Sequence, residues 1–79
     1  MIIQTQNSTY VVEFLAFPGT MKRWVADKFP KTSTPDVRKY ARAFAFQGDT
    51  LTLGIGASMI LAKGGVNVLE TSSVMDIEP

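Results

Sequence analysis

Between Thr9 and Phe17 the chain alternates with a period of two. Tyr10, Val12, Phe14 and Ala16 share one side, and Thr9, Val11, Glu13 and Leu15 share the other. Such alternation places successive side chains on opposite faces of a strand, one face apolar and one mixed. Ile2 to Thr5 precedes it across Gln6-Asn7-Ser8, and Asn in a short connector marks a hairpin. After it, Phe17-Pro18-Gly19-Thr20 sets Pro at the second turn position and Gly at the third, the order a type II turn requires. Met21 to Lys28 then reads as the returning strand, with Lys22, Trp24 and Ala26 alternating against Arg23, Val25 and Asp27. Phe29 to Pro35, with two prolines and Thr32-Ser33-Thr34, reads as an exposed loop.

Residues 34–46 fit two patterns. As a helix, Thr34 caps, Pro35 occupies the first turn, and Val37, Tyr40, Ala41 and Phe44 form one stripe ahead of Gly48. As a strand, Tyr40, Arg42, Phe44 and Phe46 alternate with Lys39, Ala41, Ala43 and Ala45. Beyond Gln47-Gly48-Asp49 the period of two returns in Leu51, Leu53 and Ile55. Ser58 to Ala62 and Val66 to Thr71 flank Lys63-Gly64-Gly65, a glycine hairpin connector. Val74 to Glu78 reads as a short closing strand. The pattern predicts a mainly β fold over residues 1–79, a small barrel or sandwich of roughly five to seven short antiparallel strands. An α+β fold with one helix at about 34–46 is the alternative.

Composition narrows the chemistry. The 79 residues include no Cys and no His. Disulfides, thiolate nucleophiles, imidazole acid–base work and most zinc sites are thereby excluded. A single domain of this size buries only about 62% of its unfolded surface, a thin core. The seven carboxylates form no recurring pair within one element, so general acid–base catalysis lacks its two partners. Gly54-Ile55-Gly56 supplies only part of a dinucleotide fingerprint, and Gly64-Gly65 lacks the Lys and Ser/Thr of a phosphate loop. No metal or cofactor is expected, and the reading is non-enzymatic. Met1-Ile2-Ile3 gives way at once to Gln4 and Thr5, unlike a leader. The apolar run from Leu51 to Ala62 is broken by Thr52, Gly54, Gly56 and Ser58, unlike a membrane span. A soluble, cytoplasmic protein is the expectation.

Charge is uneven although the net is +1. Lys22, Arg23, Lys28, Lys31, Arg38, Lys39 and Arg42 face only Asp27 and Asp36 in the same stretch, a local balance of +5, and the remaining residues carry −4. Aromatic residues interleave with the basic ones at Trp24, Phe29, Tyr40 and Phe44. Arginine and large aromatic groups bury much area while satisfying directional hydrogen bonds. Arg23, Trp24, Lys28, Arg38, Lys39, Tyr40 and Arg42 are therefore the candidate contact residues, with a protein as the expected partner. Val11, Glu13 and Leu15, on the mixed face, would leave apolar groups outside a monomer's core for a partner or a second copy to cover. Nucleic acid is the alternative partner, since small barrels combine cations and stacking aromatics for single strands.

The two ends carry a likeness. Thr5-Gln6-Asn7-Ser8-Thr9-Tyr10-Val11-Val12-Glu13 and Thr71-Ser72-Ser73-Val74-Met75-Asp76-Ile77-Glu78 resemble the ends of small, mostly uncharacterised β proteins encoded by actinobacterial phages. Those open with a Thr-x-Asn-Ser-x-Tyr hairpin and close with a Thr-Ser-Pro-Val-x-x-Ile-Glu strand; Ser73 stands where they have Pro. The resemblance implies strands from Tyr40 to Ile55 joined near Gly48. It also implies a phage setting inside an infected cell, where the protein binds host or phage components or accompanies the virion. It transfers no active site.

Overall fold

The computed structural model describes residues 1–19, 21–31 and 44–79. Among them run seven strands: β1 (Ile2–Thr5), β2 (Ser8–Leu15), β3 (Arg23–Pro30), β4 (Phe46–Gly48), β5 (Thr50–Thr52), β6 (Ser58–Lys63) and β7 (Val66–Glu78). All pair antiparallel in one sheet of order β4-β3-β2-β1-β7-β6-β5. The sheet curls into a half-barrel, so the mainly β expectation holds. Of the ambiguous stretch, 34–43 lies outside the described residues, and Phe46 opens β4. No helix among the described residues is long and apolar enough to cross a membrane.

The turns form where the sequence places them. The Thr5 hydroxyl donates to the Ser8 carbonyl at 2.9 Å and accepts from the Ser8 amide at 3.1 Å, closing the β1–β2 hairpin. Gly19 takes φ +72°, the left-handed value the Pro18-Gly19 turn demands. Gly64 and Gly65 take φ +59° and +79°, the pair of positive values of a two-residue hairpin that follows the sheet's twist.

Several boundaries differ from the sequence reading. β3 begins at Arg23 rather than Met21 and runs on through Phe29 and Pro30, which the turn residues had assigned to a loop. Its eight residues match β2 one for one, from Leu15 opposite Arg23 to Ser8 opposite Pro30. β4 pairs with β3 only at Trp24–Ala26, so Pro30 sits beyond the β4 pairing, where its missing N–H is tolerated. β5 stops at Thr52, leaving Ile55 exposed in a turn. The two final strands are one: β7 pairs with β6 through its first part and with β1 through its last. Register shifts between Gln4 and Thr5, Ser58 and Ile60, and Leu61 and Ala62 mark the bends that let one strand serve both. At Ser58–Ile60 the Met59 amide donates to the Thr71 hydroxyl at 3.0 Å, which satisfies a donor the shifted ladder leaves over.

The concave face holds the core. Ile3, Tyr10, Val12, Ala26, Met59, Leu61, Leu69 and Val74 are buried there, with Trp24, Phe46, Leu51 and Ile77 packed at its margin. The opposite face of β2 and β3 is buried as well, at Thr9, Val11, Val25 and Asp27. Val11 is only 1% exposed, which corrects the expectation that it waits for a partner. Asp27 uses Oδ1 to accept from the Ala45 amide at 2.7 Å, tying down the residue before β4, while its buried Oδ2 has no hydrogen-bond partner among the described residues.

β4 and β5 are consecutive along the chain, yet they occupy opposite edges of the sheet. Only Asp49 lies between them. Consecutive Cα atoms are about 3.8 Å apart, so the sheet must curl until its edges meet there. The Asp49 amide donates to the Ala62 carbonyl at 2.9 Å across the seam. A Cβ on Gly48 would lie 2.5 Å from the Ala62 oxygen and 2.8 Å from Leu61 Cδ1, so the close approach requires glycine.

Candidate interaction surface

The seam sits beside the open end of the β2–β3 ladder. Phe14 pairs with Trp24 on the concave face, and Leu15 pairs with Arg23 on the other. The Phe14 and Trp24 ring centroids are 4.8 Å apart at an interplanar angle of 41°, a tilted contact that the ring quadrupoles favour. Trp24 is half-buried against the core, whereas Phe14 is 46% exposed. The Pro18-Gly19 turn returns the chain so that Lys22 Nζ lies 5.9 Å from the centre of the Phe14 ring and the Arg23 guanidinium 5.4 Å from that of Phe17. Both fall within reach of a cation–π attraction. Arg23 also donates through Nη1 to Gln47 Oε1 at 3.2 Å. Two basic side chains are thereby held against aromatic rings near the seam.

Met21, Lys22, Arg23, Gly48, Asp49 and Lys63 line a cleft of about 130 Å³ at this point. Its charges are three cations and one carboxylate. Asp49 is committed to the fold: Oδ2 accepts from the Gly64 amide and Oδ1 from the Thr50 hydroxyl, each at 3.0 Å. The Gly64 amide, then the Thr50 hydroxyl, hold its carboxyl below the ordinary value of 3.8, with Lys63 adding to the shift. The carboxylate thus clasps the β6–β7 hairpin to the β4–β5 link and keeps Lys63 at the cleft. Among the described residues an ion pair forms elsewhere, between the Met1 ammonium and Glu13 at 2.8 Å. Glu13 and Glu78 share a shallow, open depression with Met1 and Ile2.

No family model, curated protein or solved structure matches the chain. The surface is therefore read from its own residues.

Of the sequence candidates, Arg23 and Trp24 belong to this end of the ladder, from opposite faces of β3. Lys28 is exposed opposite Tyr10, about 17 Å further along the strand at 3.3 Å per residue. Arg38, Lys39, Tyr40 and Arg42 lie outside the described residues. The structure adds Phe14, Met21, Lys22 and Lys63. The sequence reading puts Phe14 on an apolar face and Lys63 at a hairpin tip, and nothing local joins either to Arg23. The available signals are an aromatic residue at the last inward position of a strand and a cation beside a Gly-Gly turn. Among the described residues no group of three or more Asp, Glu, Cys or His gathers to hold a metal ion.

Proposed function

We propose that the protein is a non-enzymatic binding module that takes a protein partner, host or phage, on the Phe14–Trp24 end of its half-barrel. The observation that carries this reading is the half-exposed Phe14 ring, stacked on the only tryptophan and flanked by Lys22, Arg23 and the fully presented Met21. Aromatic, Met and Arg side chains are enriched at the centres of protein interfaces and supply most of their energy. Trp24, anchored in the core, presents its partner ring without further loss of side-chain entropy. The likeness of the chain's ends to phage proteins supports the setting, and self-association is the same reading with a second copy as partner.

The test is affinity capture from an actinobacterial lysate with three immobilised baits of verified fold. Proteins retained by the unaltered chain and by Lys28→Ala, but lost from Phe14→Ala, support the reading. Loss of an anchoring ring weakens a complex by about 2 kcal/mol or more. Retention by Phe14→Ala equal to that of the unaltered chain overturns it.

Single-stranded nucleic acid is the second reading, favoured by the lysine over the Phe14 ring, since bases stack on such platforms beside phosphate-pairing cations. It predicts oligonucleotide binding that weakens steeply with added salt, as each neutralised phosphate releases counterions.

A further inference from the structure

We infer that the cleft beside the Asp49 seam receives the carboxylate of an Asp or Glu in an extended segment of the partner protein, with a neighbouring apolar side chain resting on Phe14 and Met21. This rests on the reading of the Phe14–Trp24 end as a contact surface and names the chemistry it recognises. Lys22, Arg23 and Lys63 converge on the cleft. Among the described residues none of the three has a carboxylate within ion-pairing distance. The carboxylate inside the cleft, Asp49, is occupied by the Gly64 amide and the Thr50 hydroxyl. Among the described residues the cleft therefore keeps a positive surplus, with N–H donors that no carboxylate takes. Arg23 is held by Gln47 through Nη1 alone, which leaves part of its planar fork for a carboxylate at little ordering cost.

The charge pattern chooses the occupant. The cleft, of about 130 Å³, opens to solvent and admits the head of a side chain offered by a partner. A nucleic acid track needs a run of cations spaced along the backbone. Here Lys28 and Lys31 stand at the far end of β3, with the buried Asp27 before them. A single carboxylate needs only the local cluster. Phe14 at 46% and Met21 at 87% exposure lie beside the cations, so the segment that best fits carries an acid adjacent to an apolar residue.

The test uses a random heptapeptide library on beads and the emission of Trp24, the only tryptophan. Retained peptides should be enriched in Asp or Glu next to Leu, Ile, Phe or Met, and a synthesised representative should shift Trp24 emission. Changing its acid to the amide, or changing Lys22→Glu and Lys63→Glu together, should each weaken binding roughly tenfold or more, the loss expected of a charge-assisted hydrogen bond. Lys28→Glu, with the same kind of charge change outside the cleft, should bind as the unaltered chain does. Retained peptides without acidic enrichment, an empty selection, unchanged affinity in the double variant, or displacement of the peptide by a short oligothymidine that binds more tightly would each overturn the inference. Should lysate proteins depend on Phe14 while the selected peptides lack acids, the acidic occupant is wrong and the contact surface stands. Should no lysate protein depend on Phe14, the contact-surface reading itself fails.

Discussion

Val12 and Phe14 lie two residues apart on the same face of β2, and they live in different surroundings. Val12 is fully buried between Tyr10 and Ala26, whereas Phe14 is 46% exposed beside Trp24. The ladder that carries them is continuous, with no register shift from Ser8–Pro30 to Leu15–Arg23. One rigid hairpin thus supplies the core at its middle and a display platform at its end. The bulged β6–β7 pair does the complementary work: its shifts bend the sheet until the hairpin tip at Gly64 reaches Asp49. Regular pairing fixes the aromatic rings in place, and irregular pairing brings the third cation to the cleft that Lys22 and Arg23 line.

The sharpest way to break this contrast is one substitution made at both positions. Val12→Asp buries an unpaired charge and should cost about 4 kcal/mol or more, most of what a domain of this size possesses. Loss of cooperative thermal unfolding by circular dichroism is the expected readout. Next in size is Gly48→Ala, which drives a methyl group into the Ala62 carbonyl and Leu61 at the seam. Overpacking of this kind costs about 2 kcal/mol and should lower Tm by roughly 8–16 °C. A Tm within a degree or two of the unaltered protein would show that β4 and β6 do not meet as described. Phe14→Asp should then cost only about 1 kcal/mol, the value of its ring contact with Trp24, while abolishing partner capture. If Phe14→Asp and Val12→Asp destabilise equally, the open end of the ladder is core and displays nothing.

The smallest effect belongs to the Asp49 clasp. Its carboxyl titrates below 3.8 in the folded chain because the Gly64 amide and the Thr50 hydroxyl favour the charged form. A lowered folded pKa gives stability that is present above the unfolded value and lost as pH falls through the folded one. The Gly64 amide resonance should therefore move on acidification with a midpoint below 3.8, and Asp49→Asn should remove that step. A midpoint at or above the ordinary value would mean that the clasp does not form in solution. Asp49 is fully exposed, so the global stability change should be slight.

Much of the scaffold was legible from local rules. The period of two assigned Tyr10 and Val12 to the apolar face of β2 and set Trp24 and Ala26 together on one side of β3, because alternation is a property of consecutive residues. Pro18-Gly19 and Gly64-Gly65 announced their turns, because positive φ is a requirement of single residues. What escaped was decided by pairing partners distant in sequence. Phe29 and Pro30 became strand because β2 extends far enough to pair with them, and Val66 to Glu78 became one strand because β6 and β1 hold its two parts. The burial of Val11 on the mixed face also lies beyond any periodicity, since alternation separates two faces without saying what each will meet.

The sequence by itself determined a residue inventory without Cys or His, the strand-rich pattern and the hairpin turns, all of which follow from composition and from neighbours a few residues apart. Only the tertiary structure decided that Trp24 would meet Phe14 while its neighbour Arg23 would meet Lys63 at the cleft. The physical reason is closure. A sheet whose two edge strands are joined by the single residue Asp49 must curl, and the curl gathers side chains that no local spacing relates.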